Sequence, residues 1–309
     1  MKYDLIIIGG GPGGTAGAVY AARKRLKTLF ITFEWGGQSV VSEKIYNWIG
    51  TPEISGFDLA EAFRKHVMEY KGEFLDVLEM EKVSKVEKSE SGFSVQTESG
   101  KKFEGMSVLV TTGSSRRKLD VKGAAELEHK GITYCASCDG PIFADQDVIV
   151  IGGGNAGFES AAQLLAYCKS VTMLLRSDNL RADKITVEKV LANPKMKIIK
   201  NVEFLEITGD KMVRTLVYKD KATSETHEIP TGGIFVEIGQ IPNSDPVKEI
   251  VSLTPEGKVI VDPMNGRTSK EGIWAAGDIT NGLYHQNNIA AGDAVKALED
   301  IYIWLTQKK

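Results

Sequence analysis

The chain has 309 residues, enough for two domains with separate apolar cores. Hydrophobic residues make up 42% and charged residues 26%, the balance of an ordinary globular protein, which argues against a disordered chain or a fibre. A net charge of −3 with scattered Lys and Arg offers no clustered basic surface for nucleic acid, and no apolar run is long enough to span a membrane.

The first apolar run, 5–8, reads as a strand that begins close to the initiator Met, so no signal peptide is expected and the cytoplasm is the expected location. Thiols are kept reduced there, so a close cysteine pair reads as catalytic, redox-sensing or metal-binding before it reads as a structural staple. The strand leads into Gly9-Gly10-Gly11-Pro12-Gly13-Gly14 and then an Ala-rich helix over 16–22. Gly9, Gly11 and Gly14 fill the three fingerprint positions of a dinucleotide loop: the turn, the close approach of a pyrophosphate, and tight packing of helix on strand. The helix N-terminus adds free N–H groups and partial positive charge, so an anion is held without a dedicated Lys. A strand over 28–32 follows, and Glu34 just beyond it is a candidate ribose ligand. Strands are predicted over 93–97 and 106–112 with a turn at Ser99-Gly100, the second ending at Gly113, where a backbone can approach a ligand.

Cys135-Ala136-Ser137-Cys138-Asp139-Gly140 comes next. A Cys-x-x-Cys pair at the start of a helix closes into a small disulfide ring, and the helix end favours the thiolate that attacks or leaves. Asp139 opposes a second thiolate by like charge and supplies a carboxyl for proton transfer. Zinc is the structural alternative, but the only other cysteine is Cys168, expected in a helix as buried packing. No His or second Cys pair has the spacing of a four-ligand set, so no metal is expected.

A strand over 147–151 and a helix over 158–167 flank a second glycine loop, Gly152, Gly154 and Gly157, 143 residues after the first. This repeat of grammar without repeat of sequence predicts two Rossmann-like units. The next strand, 171–174, is followed by Leu175 where an NAD site presents an acid. Arg176, Ser177 and Arg181 suit a 2′-phosphate instead, which favours NADPH. Further strands are predicted over 197–207, 212–219 and 234–238, and Gly239-Gln240-Ile241-Pro242-Asn243 is expected to break the pattern. The buried run 273–276 ends in Gly277-Asp278 ahead of a helix over 289–305, an acid placed to bond a ribityl or ribose hydroxyl or to cap a helix. Two dinucleotide loops and one dithiol point to an electron relay.

Together these motifs resemble the low-molecular-weight thioredoxin reductase family over essentially the whole chain. The resemblance is carried by the first loop, Gly36-Gly37-Gln38, Asn47-Trp48-Ile49-Gly50, Thr111-Thr112-Gly113, the Cys135 to Gly140 stretch, the second loop, 239–243, Ala275-Ala276-Gly277-Asp278 and His285-Gln286. It implies an α/β fold of two Rossmann-like three-layer domains, FAD- and NAD(P)-binding, the second inserted in the first: 1–116 and 243–309 for FAD, 117–242 for NADPH and the dithiol. The residues it places around FAD are Gly9, Gly11, Pro12, Gly13, Gly14, Glu34, Gly37, Gln38, Asn47, Thr112, Gly113, Gly277, Asp278, His285, Gln286 and Asn287. Those it places around NADPH are Gly152, Gly154, Asn155, Ala156, Arg176, Ser177, Arg181, Ile238 and Gly239. By the same resemblance Cys138 faces the flavin, Cys135 attacks the partner's disulfide, and Asp139 is the acid/base. Electrons then pass from NADPH through FAD and the cysteine pair to thioredoxin or a thioredoxin-like protein. A homodimer is implied, with neither nucleic acid nor membrane as partner. Both electron-carrying groups of the inserted domain must reach one flavin in turn, so rotation at 113–118 and 239–244 is expected.

Three departures qualify this. The family's His-Arg-Arg-x-x-x-Arg stretch is Leu175-Arg176-Ser177-Asp178-Asn179-Leu180-Arg181 here, so one phosphate-binding Arg is absent. Pro141-Ile142-Phe143 replaces the aromatic pair of thioredoxin-docking members and, with Gly131-Ile132-Thr133-Tyr134, resembles the alkyl hydroperoxide reductase flavoprotein. That flavoprotein carries a thioredoxin-like domain ahead of its first loop, which here begins at residue 9. The family's basic residue before Gln286 is His285. An NADH- or ferredoxin-fed reductase serving a peroxiredoxin or glutaredoxin-like partner therefore stays open, as does a non-catalytic FAD-binding redox sensor.

Overall fold

The computed structural model describes residues 2–42 and 44–308. In chain order the first part forms β1 (Lys2–Gly10), α1 (Pro12–Arg23), β2 (Thr28–Trp35), α2 (Gly56–Glu69), β3 (Leu75–Glu79), β4 (Val83–Ser89), β5 (Gly92–Thr97) and β6 (Lys102–Val110). After β7 (Ser114–Arg116) come β8 (Ile132–Thr133), α3 (Ala136–Asp139), β9 (Asp147–Ile151), α4 (Asn155–Leu164), β10 (Ser170–Leu174), α5 (Lys184–Leu191) and β11 (Met196–Ile199). The chain continues as β12 (Val202–Gly209), β13 (Val213–Asp220), β14 (Thr226–Pro230) and β15 (Gly233–Val236). It closes with β16 (Gln240–Pro242), β17 (Ile273–Ala275) and α6 (Asn287–Lys308). It divides into two compact units, one made of 1–115 with 241–309 and the other of 116–240.

In the first unit the strand order is β3-β2-β1-β6-β5-β4, with β17 also on β6. The pairs β1–β2, β1–β6, β2–β3 and β6–β17 are parallel, while β4–β5 and β5–β6 are antiparallel. The pleat sorts β1 by alternate residues. Leu5 and Ile7 pack under α1 and α6 with Ala18, Ala21, Leu298 and Ile301. Ile6 and Ile8 face the opposite side, against Val86, Val95, Val247 and Val259. A strand covered on both faces needs the continuous apolar run that residues 5–8 provide, each side chain contributing roughly 1.5–3 kcal/mol on burial.

The second unit repeats this plan with a parallel sheet ordered β11-β10-β9-β15-β8. Val148 and Val150 pack under α4 with Phe158, Ala161 and Leu164. Ile149 and Ile151 face the antiparallel sheet β12-β13-β14 through Phe204, Leu216 and Tyr218. Both units are three-layer α/β structures of Rossmann type.

Several elements differ from the sequence expectation. The single strand expected over 197–207 is two strands in two sheets, because Asn201 takes the left-handed conformation at φ +58, which Asn tolerates, and turns the chain between them. The helix expected over 158–167 starts at Asn155 and ends at Leu164. Cys168 therefore lies not in a helix but in the bend before β10, its N–H on the Leu164 carbonyl at 2.8 Å. Residues 240–242, expected to break the pattern, pair with β7 as β16. Glu34 lies within β2 and not beyond it. Helix α2 had no expectation, although Ser55 caps it by accepting the Asp58 N–H at 3.0 Å.

Candidate active site

The first glycine loop is shaped by backbone packing. Gly9 holds φ +116, and a Cβ there would stand 2.4 Å from the Thr111 carbonyl oxygen; one on Gly14 would stand 1.7 Å from the Gly9 oxygen. Gly11 differs: it holds φ −78 at the N-cap of α1 and nothing lies within 4 Å of where its Cβ would be. No side chain caps α1 there, so its first N–H groups are offered to whatever enters. A cavity of about 510 Å³ opens at this point, within the range of small-molecule sites. It is lined by Gly9, Gly11, Pro12, Gly13, Glu34, Gly37, Gln38, Thr112, Gly113, Gly277, Asp278 and Asn287.

Gly14, Asn47, His285 and Gln286 are not part of that lining. Asn47 Nδ2 donates to Gln286 Oε1 at 3.1 Å, tying the 44–50 loop to the entry of α6. Lys258 Nζ donates to His285 Nε2 at 3.0 Å. His285 Nδ1 is buried without a hydrogen-bond partner, although it lies 3.4 Å from Asp278 Oδ1. Thr111 and Asn243 had no assigned role in the sequence reading. Thr111 Oγ1 donates to the Ile8 carbonyl at 2.8 Å, and Asn243 clasps Thr112 through two 2.8 Å bonds, so both fix the backbone at the cavity's edge.

The second loop repeats the geometry. Gly152 holds φ +132 with its Cβ position 2.2 Å from the Glu237 carbonyl oxygen, a Cβ on Gly157 would stand 2.1 Å from the Gly152 oxygen, and Gly154 faces open space. Asn155 and Ala156 form the first turn of α4, and Asn155 Oδ1 accepts the Asp183 N–H at 2.9 Å. Leu175 is buried in the core, only 4% exposed. Arg176, Ser177 and Arg181 are exposed. The Arg176 guanidinium lies over the Phe204 ring at 5.4 Å, and the Arg181 N–H donates to the Gly153 carbonyl at 2.9 Å. Ile238 and Gly239 follow β15, with open space in front of Gly239.

Glu237 was missed by sequence reasoning; its signal is a lone acid after the apolar run 234–236. Burial pushes its carboxyl up to about 7 from the usual 4.5, against the opposing pull of the Ser160 hydroxyl at 2.6 Å and of Arg116. Between those two values the folded chain keeps a proton that the unfolded chain has released, so stability falls as pH rises through that window. The expected loss is on the order of 2 kcal/mol. Glu237→Gln is expected to flatten that fall, as measured by urea unfolding at about pH 5 and about pH 8.

Cys135 and Cys138 are joined as a disulfide. Cys135 is the N-cap of α3, and its Sγ accepts the Cys138 N–H at 3.2 Å. A thiolate formed at Cys135 would keep that bond, strengthened by its charge. Thr133 Oγ1 donates to Asp139 Oδ2, fixing the carboxyl one residue from Cys138. The third thiol is inert by comparison. Burial pushes Cys168 up to about 11, and its Sγ–H donates to the Phe143 carbonyl at 3.3 Å. Among the described residues no cluster of His, Cys, Asp or Glu is placed to hold a metal ion, and no helix is long and apolar enough to cross a membrane.

The family model for pyridine nucleotide-disulphide oxidoreductases matches residues 3–294. The chain belongs to this family. A solved thioredoxin reductase from Streptococcus pyogenes MGAS5005 superposes with a TM-score of 0.89 at 34% identity, covering 99% of each chain. A protein named NADH dehydrogenase from Ferdinandcohnia aciditolerans is 37% identical over 295 residues, 96% of this chain and 56% of that protein. An alkyl hydroperoxide reductase polypeptide from Pseudomonas aeruginosa is 38% identical over 299 residues, 96% of this chain and 57% of that protein. The chain thus spans just over half the length of these two curated relatives. The family is one of flavoprotein disulfide oxidoreductases, and membership implies FAD and a pyridine nucleotide as the groups to be tested against the two loops. The residues present fit both groups: each of two helix N-termini is fronted by a glycine whose missing Cβ leaves open space, and the first opens on the 510 Å³ cavity.

Proposed function

We propose that this oxidoreductase is an NADPH-dependent thioredoxin-disulfide reductase, delivering electrons through FAD and the Cys135–Cys138 pair to a disulfide in thioredoxin or a thioredoxin-like protein. The observation that carries it is the disulfide itself, set at the first turn of α3 beside Asp139, in the unit that also holds the second glycine loop. FAD, when bound, supplies the exchange of an electron pair between a pyridine nucleotide and a disulfide. The cavity residues from Gly9 to Asn287 hold it, with Gly14, Asn47, His285 and Gln286 in support. Gly152, Gly154, Asn155, Ala156, Ile238 and Gly239 hold the nucleotide's diphosphate and ribose, and Arg176, Ser177 and Arg181 its 2′-phosphate. Cys135 as thiolate attacks the partner's disulfide, giving a mixed disulfide and releasing one partner thiolate. Cys138 then attacks Cys135 Sγ, which closes the ring and frees the second partner thiolate. Asp139 holds the proton exchanged with Cys138 and Thr133 holds Asp139.

A second reading, an NADH-fed reductase serving a peroxiredoxin-type partner, is favoured by the Arg missing at Ser177. Anaerobic addition of each nucleotide separates the two. Fast bleaching of the yellow protein by NADPH supports the first reading, bleaching by NADH alone supports the second, and bleaching by neither defeats both. Thioredoxin, a glutaredoxin-like protein or a peroxiredoxin added afterwards identifies the acceptor. Under the first reading Arg176→Ala is expected to raise KM for NADPH about tenfold or more and to leave KM for NADH unchanged, since only the 2′-phosphate loses a charge-assisted bond.

A further inference from the structure

Glu237 directly follows β15 at the point where the strand order of its sheet reverses: the chain runs β9 to β10 to β11 on one side and places β15 and β8 on the other. In open α/β sheets the crevice at this reversal is where the ligand enters. The acid is locked against the second glycine loop. Its N–H donates to the Ile151 carbonyl at 2.8 Å, its Cβ lies 3.4 Å from the Gly152 Cβ position, and its Oε1 accepts from Ser160 on α4.

We propose that Glu237 makes pyridine-nucleotide capture proton-linked, its carboxyl taking up one proton from solvent as the negatively charged diphosphate settles at the N-terminus of α4. The inference rests on the pyridine-nucleotide reading of the second loop. The charged groups around Glu237 set the balance. Arg116, at the end of β7, favours the carboxylate, while Glu159 on α4 opposes it. Ser160 donates to the side chain whether or not it is protonated. On the neighbouring β8 the Thr133 hydroxyl is engaged with Asp139 of α3. The side chain is poised near neutrality before any ligand arrives, its carboxyl pushed up to about 7 by burial. Two phosphate charges beside it raise it further, so the empty site loses its proton in a range where the filled site keeps it. The same N-terminal N–H groups that attract the diphosphate are thereby partly cancelled above neutrality by the carboxylate, and restored when it is neutral.

Oxidised NADP+ serves as the probe because it binds without reducing the holoenzyme, and Glu237→Gln is the comparison because it keeps the acceptor for Ser160. The 2′-phosphate titrates near 6 in both proteins and cancels in the difference. Between about pH 6.5 and about pH 8 the NADP+ Kd of the natural protein is expected to weaken severalfold more than that of the variant. Calorimetry in two buffers of different ionisation enthalpy should show net proton uptake with nucleotide binding at about pH 8 in the natural protein beyond that of the variant. Binding with parallel pH profiles and equal proton uptake in the two proteins overturns the proposal alone. Absence of NADP+ and NAD+ binding to both proteins at every pH overturns the nucleotide reading of the loop, and the proposal with it.

Discussion

Cys138→Ser is expected to abolish turnover of protein disulfides, by roughly 10³-fold or more, while a stable mixed disulfide accumulates between Cys135 and the oxidised partner. Cys135 keeps its place at the N-cap of α3, where the N–H of residue 138 supports a thiolate, so attack on the partner still occurs. What is lost is the sulfur that resolves the adduct, and a thousandfold loss corresponds to a barrier raised by about 4 kcal/mol. Cys135→Ser gives the complementary result: no adduct and no turnover, with the yellow colour still bleached by the reducing nucleotide. Non-reducing gels read the adduct, and anaerobic stopped-flow absorbance reads the bleaching. The roles fail if both variants reduce a protein disulfide at the unmutated rate, and they are reversed if the adduct forms with Cys135→Ser instead. Cys168→Ser is a control for the third sulfur, which is buried, bonded to the Phe143 carbonyl and far from thiolate character at neutral pH.

What the chain revealed before its structure was mostly what local chemistry dictates. The two glycine loops were legible because each requires a strand, three glycines and a helix in fixed order, and in both the first and third glycine are required by contacts under 2.5 Å to backbone oxygens. The cysteine pair was legible because its helix start lies within the same short motif. Chain reversals carried by one residue were not. Only Lys200 and Asn201 separate two strands that belong to different sheets, with the turn carried by left-handed Asn201, and apolar residues on both sides let 197–207 read as one strand. Cys168 was put in a helix because the apolar periodicity of α4 runs on past Leu164 into the turn. Glu237 escaped because its character comes from neighbours distant in sequence, Ser160 and Arg116, and an isolated acid at a strand end carries no motif. Asn243 clasping Thr112 across 131 residues is of the same kind.

Gly11→Ala and Gly154→Ala are expected to empty one site each without unfolding the chain, whereas Gly9→Val is expected to unfold its unit. The difference lies in what a side chain would meet. At Gly9 a Cβ would stand 2.4 Å from a main-chain oxygen, in a backbone conformation that L-residues with a branched Cβ do not adopt, so β1 or the Thr111 segment must move. Displacing packed backbone beneath α1 is expected to cost more than about 3 kcal/mol, a large share of a domain's total stability. Gly11 and Gly154 sit at φ −78 and φ −91, both ordinary for alanine, with nothing within 4 Å. Their replacement costs the protein only the difference between Gly and Ala at an N-cap, about 0.5–1 kcal/mol. The added methyl does stand where a diphosphate must approach the first N–H groups of the helix, and losing that approach weakens binding at least about tenfold. Gly11→Ala should therefore be purified with little yellow colour and with a melting temperature close to that of the natural protein stripped of its flavin. Gly154→Ala should be fully yellow, equally stable, and unable to bind NADP+ tightly. Full cofactor content in Gly11→Ala would remove the first loop as the FAD phosphate site, and a melting temperature far below that of the flavin-free natural protein would show that the space in front of Gly11 is needed for folding and not for a ligand.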